Sequence, residues 1–140
     1  MANTTTELLN KAVNLMVASP AAAPRLATTK WGALWTVMPT ETGGGTEVSG
    51  GGYARSAGVS PWSSPAGGYT LLTGTVDFPQ VTSSWGTIVG WSLMEAATGT
   101  AEADFFCFAP LAVPFTPVVG ERPYIPADLI SVALNDMCGS

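Results

Sequence analysis

The sequence predicts a mainly β protein: an antiparallel β-sandwich or jelly-roll-like domain carrying one N-terminal α-helix. Three observations carry that expectation. From residue 31 onward, short runs of aromatic and β-branched residues are separated by Gly, Pro and Ser clusters, the texture of strands joined by turns. Before residue 31, one segment has helical rather than alternating periodicity. The length of 140 residues suits one domain able to bury a core without a disulfide or metal. Residues 1–30 therefore read as a helix and arm, and residues 31–140 as the sandwich.

The elements follow in order. In "TTTELLNKAVNLMVAS", Thr4 and Glu7 fit a capping box, and the spacing predicts a helix within residues 4–19. Leu8, Leu9, Ala12, Val13, Leu15 and Met16 fall on one side; Glu7, Asn10, Lys11 and Asn14 take the other. Pro20 and Pro24 end the helix and make an extended connector. "WGALWTVM" alternates with both faces apolar, and "YARSAGV" is a weaker, more polar strand. "YTLLTGTVDF" sets Leu72, Val76 and Phe78 on one face; "WGTIVGWSLME" does the same with Trp85, Val89, Trp91 and Leu93. "EADFFCF", "VPFTPVV" and "LISVAL" bring the set to about seven short strands. Trp35, Trp85, Trp91, Phe106 and Val132 are expected to be largely buried.

Composition limits the partners. Hydrophobic residues make up 46% and charged residues 11%, against roughly 25% charged in ordinary soluble domains. A surface rich in Ser, Thr and Gly accounts for part of this. Coverage by partners or by copies of the same chain accounts for it better. The net charge of −5, from ten acids and five scattered bases, argues against nucleic acid. Cys107, inside "FFCFA", reads as a small buried hydrophobe; Cys138 lies near the terminus, and two isolated cysteines make neither a metal site nor a disulfide framework. No run is long enough to span a bilayer. "KAVNLMVASPAAA" imitates a secretory leader, but Glu7 and Asn14 spoil its charge and apolar regions, so the chain is expected to be unprocessed and intracellular when made.

The glycine-rich stretch "TETGGGTEVSGGGYAR" poses the main functional question. A Walker loop needs Lys and Ser/Thr after its glycines; here Thr46 and Tyr53 follow, and Glu41 and Glu47 repel phosphate. A dinucleotide fingerprint needs a helix after the glycines, and a strand-like segment follows instead. The sequence contains no histidine, which removes the usual general base, the Ser-His and Cys-His pairs and most metal sites. Glu102 and Asp104, expected on one strand face, are the remaining acid pair, weighed against a plain solvated edge. Ser60, Ser63 and Ser64 read as turn residues. Trp31, Trp35, Trp85 and Trp91 lie in core contexts, leaving Trp62 in "SPWSSP" as the exposed aromatic, for a sugar or for a protein interface. No catalytic residue, metal site or cofactor is expected.

Most of the chain resembles the small structural proteins of tailed bacteriophages usually labelled phage tail fibre protein. The likeness runs through Pro39–Thr40, the "GTEVSGGGYAR" corner from Gly45 to Arg55, Phe78–Pro79, Trp85–Gly86 and Ala96, Thr98 and Gly99. It closes on "YIPADLISVAL". The departures are Val81, Glu95, the direct Ala127–Asp128 step, and the Phe- and Pro-rich stretch 105–117. The resemblance implies a virion component. The glycines then read as a corner with positive φ or close backbone approach at Gly50, Gly51 and Gly52, followed by Tyr53 and braced by an Arg55–Glu47 ion pair.

A compact, low-charge chain without coiled coil or repeats suits a capsid decoration (cement) protein gripping the major capsid protein or another virion protein. Self-association is expected with it, including trimers where three capsomers meet, and neither nucleic acid nor membrane as partner. A tail fibre or tail-associated adaptor acting in host attachment is the alternative, and a carbohydrate-binding module the third. Trp62, Phe115 and Tyr124 are the candidate interface residues, with the N-terminal arm, the 61–68 loop and the 110–123 stretch around them.

Overall fold

A computed structural model describes residues 3–4, 30–64, 69–127 and 129–133 of the chain. The fold is mainly β and antiparallel. Its centre is a five-stranded sheet of β1 (Asn3–Thr4), β2 (Trp31–Val37), β3 (Thr46–Glu47), β6 (Ile88–Met94) and β7 (Phe105–Phe115), in spatial order β1-β7-β6-β2-β3. β4 (Tyr69–Leu71) pairs with β9 (Ser131–Ala133), and β5 (Val76–Asp77) with β8 (Tyr124–Ile125), as two separate ribbons. Among the described residues these ribbons and their loops stand where a sandwich would have a second broad sheet.

β2 and β6 form the middle of the large sheet because both are apolar on both faces. Their register sets Leu34 opposite Trp91 and Ala33 opposite Ser92. One face gathers Leu34, Trp91, Leu93, Cys107 and Ala109 with Val76, Phe78, Val81 and Trp85 from the covering layer. The other gathers Ala33, Trp35, Met94, Phe105 and Phe108, where the rings of Trp35 and Phe105 stack at 5.4 Å. Trp35, Trp85 and Trp91 are buried as expected. Phe106 is only half-buried: the register shifts between Leu93–Cys107 and Met94–Phe105, leaving Phe106 as the extra residue of a bulge, packed against the edge of the first cluster. There it lies 5.0 Å beneath the Lys30 ammonium.

Four expected strands change shape. "YARSAGV" makes one bridge, Ser56 to Gly32, because the positive-φ glycines before it and Gly58 within it turn the chain away from a ladder. "YTLLTGTVDF" splits into β4 and β5 at Gly74, where the Ser60–Pro61 backbone crosses so closely that a Cβ would strike the Ser60 carbonyl and come within 2.8 Å of Pro61. "EADFFCF" and "VPFTPVV", expected as separate strands, meet in one, the 11-residue β7 that runs from Phe105 to Phe115. Pro110 and Pro114 are tolerated there because, among the described residues, β7 beyond Phe108 pairs only with β6, leaving its other side as a sheet edge. The expected helix lies outside the described residues except for Thr4, which pairs with Cys107 as part of β1. Val132 belongs to β9; Cys138 lies outside the described residues.

Candidate interaction surface

Two regions carry the residues singled out in the sequence, and they differ in chemistry. The first is the glycine corner. Gly50, Gly51 and Gly52 have φ of 71°, 56° and 78°, a region that side-chain-bearing residues rarely adopt. At Gly51 closeness adds to the torsion: a Cβ would meet the Ser83 carbonyl and stand 2.8 Å from the Trp85 ring. The Gly51 carbonyl accepts hydrogen bonds from Trp85 Nε1 at 2.8 Å and from the Thr82 amide at 2.9 Å. The corner is thereby tied to the 81–85 loop.

Arg55, 8% exposed, holds the other side. Its Nε and Nη2 donate to the two Glu47 carboxylate oxygens at 2.8 and 2.7 Å, a bidentate pair. Nη1 and Nη2 also donate to the carbonyls of Ala96 and Gly99 at 2.8 and 2.6 Å. The Tyr53 hydroxyl donates to Glu47 Oε1 at 2.8 Å and accepts from the Leu34 amide at 3.0 Å. Burial, and then the Glu47 charge, push the Tyr53 phenol above its ordinary range. A shallow hollow opens beside Glu47, Tyr53, Arg55 and Gly99. These polar groups already satisfy one another, so the corner is a brace, as the ion-pair reading of Arg55 and Glu47 anticipates.

The second region is apolar and open. A groove of about 130 Å³ has Leu34 and Phe78 from the core at its base and Leu111, Phe115, Tyr124 and Leu129 around it. Phe115, Tyr124 and Leu129 are 40%, 60% and 69% exposed. It continues into a wider hollow lined by Phe115, Pro123, Tyr124, Glu121 and Arg122. Folding thus brings two of the sequence-chosen interface residues, Phe115 and Tyr124, onto one surface. Leu129 was missed; its exposure depends on how Pro126 and Leu129 lie against the groove, which no periodicity in so short a stretch reveals.

The remaining candidates are accounted for. Trp62 is half-buried against the main core, and its Nε1 donates to the Val59 carbonyl at 3.1 Å, so it is no free aromatic platform. Ser63 behaves as a turn residue, its Oγ accepting from the Leu71 amide at 3.0 Å. Glu102 and Asp104 form a 3-10 turn instead of one strand face. At three residues per turn, side chains two apart point in different directions, and Asp104 Oδ2 instead accepts from the Ala101 amide at 3.0 Å. Among the described residues no group of three or more Cys, Asp or Glu side chains is placed to hold a metal ion, and no helix is long and apolar enough to cross a membrane.

No curated protein matches the chain. Residues 3–133, by contrast, match the family described as podophage GP4 fiber I protein gp80. That span takes in the braced corner, the central sheet and the apolar groove, and by it the chain belongs to a family of bacteriophage fibre proteins, structural components of the virion.

Proposed function

We propose that this protein is a tail-associated fibre component that joins fibre parts to the particle and so serves attachment to the host. The observation that carries the reading is the fibre-type family over residues 3–133; it supports the tail alternative over the head-clamping role that low charge alone suggests. The architecture supports a joint more than a shaft. A shaft needs a long repeated element, such as a coiled coil or stacked β-turns; the described strands here are 2 to 11 residues long and close around a core. Fibre structural families are generally non-enzymatic. The chain's work on this reading is mechanical: the Glu47–Arg55 brace and the two-faced sheet keep the groove rigid under load.

The test is a phage carrying a nonsense mutation in this gene, paired with antibody labelling of intact wild-type particles. Label at the tail, together with mutant particles that adsorb poorly but keep their DNA on heating, is the expected result. Label over the head, with adsorption intact and DNA lost at lower temperature, overturns the tail reading in favour of capsid decoration.

A further inference from the structure

We infer that the apolar groove between the outer half of β7 and residues 121–126 with Leu129 is a contact between copies of this chain, with Glu121 of one copy meeting Arg122 of the next. The inference is independent of where on the particle the protein sits. Phe115, Tyr124 and Leu129 expose apolar surface around one groove, the arrangement that marks protein interfaces. The adjoining β7 edge does not suit strand addition, because Pro110 and Pro114 lack the N–H donors that an added strand would use. Contact therefore runs through side chains.

Charge selects the occupant. Among the described residues the bases are Lys30, Arg55 and Arg122. Arg55 is buried in its ion pair and Lys30 sits on Phe106. Arg122 stands exposed at the groove margin with no partner among the described residues. Beside it is Glu121, also exposed, whose Oε2 accepts from the Val118 amide at 2.8 Å and is held in place by it. The surface thus presents one acid and one base next to each other around an apolar centre. A strongly charged partner, such as DNA or an anionic membrane, finds no matching field there. A second copy matches it, since the same surface supplies Arg122 for Glu121 and Glu121 for Arg122.

Sedimentation equilibrium of the full chain from about 1 to 100 µM tests this, with far-UV circular dichroism as the check on folding. The wild type is expected to self-associate reversibly. Arg122→Glu, Glu121→Arg and Tyr124→Ala should each weaken association by roughly tenfold or more. The double variant Glu121→Arg/Arg122→Glu should recover most of it, because the reversed pair meets its own reversed copy. All three positions of change carry exposed side chains, so Arg122→Glu and Tyr124→Ala report even where Glu121→Arg disturbs its turn. A wild type that stays monomeric at 100 µM overturns the inference and leaves the groove to a different partner. So does association indifferent to Tyr124→Ala, or a folded double variant no better than the singles.

Discussion

Arg55 shows how much one side chain can organise. Its guanidinium gathers a carboxylate from β3 and two carbonyls from the 96–99 turn, so its loss leaves Glu47 with the Tyr53 hydroxyl but no balancing charge in a nearly closed site. Arg55→Met is expected to cost about 3 kcal/mol in urea unfolding, near the low end for one partner of a buried pair because the Glu47 side chain keeps 17% of its exposure. Arg55→Lys should recover only part of the loss, since an ammonium cannot make the bidentate fork. Gly50 and Gly51 separate torsion from space. Gly50→Ala, with nothing near its Cβ direction, should cost about 1 kcal/mol for the left-handed backbone alone. Gly51→Ala adds collision with Ser83 and Trp85, and about 2–4 kcal/mol is expected by the same measurement. Cys107 gives a pH signature. Burial pushes its thiol from the ordinary 9.0 up to about 12. Between those values the unfolded chain has lost a proton that the folded chain keeps, so stability is full below pH 9 and falls as pH rises, by about 1.4 kcal/mol per unit. Tyr53, also raised, adds a second loss above 10.0. Cys107→Ala should flatten the slope of urea midpoint against pH between 9 and 10.

At the scale of elements, β2 and β6 are joined by more than their ladder. Trp35 Nε1 donates to Ser92 Oγ at 2.7 Å across the two strands, inside the core. The buried serine looks out of place in "WSLM" until its partner is known. Ser92→Ala should strand the indole N–H and cost about 1–3 kcal/mol; Trp35→Phe with Ser92→Ala should cost less than the two single changes added together, which a double-mutant cycle measures. β7 was the element least readable in advance. Its prolines read as breaks, and they are accepted only because that half of the strand has a sheet edge on one side. The long "YTLLTGTVDF" run was misjoined for a local reason: an alternating apolar pattern continues through Gly74, while the ladder partner changes there from β9 to β8.

At the scale of the molecule, the sheet is buried on both faces, with one cluster on each. Trp35 reports on one and Trp85 and Trp91 on the other, while β2, β6 and β7 contribute to both. Loss of either cluster exposes the strands that hold the other. Tryptophan fluorescence and far-UV circular dichroism are therefore expected to give coincident urea transitions with a single midpoint; two separated midpoints would show that the clusters unfold independently.

By itself the sequence determined the β class, the antiparallel texture, the core tryptophans 35, 85 and 91, the glycine corner and its Arg55–Glu47 brace. These are local facts: period-two apolar patterning, positive-φ glycines and a short loop that returns Arg55 to Glu47 leave few alternatives. Tertiary structure alone decided which ladder each short strand joined, that Trp62 turns inward to donate to Val59, and that Glu102 and Asp104 part on a 3-10 turn. It also brought Phe115, Tyr124 and Leu129 around one groove. Those outcomes depend on which distant segment occupies the space next to a residue, and alternation along a chain carries no record of what lies across from it.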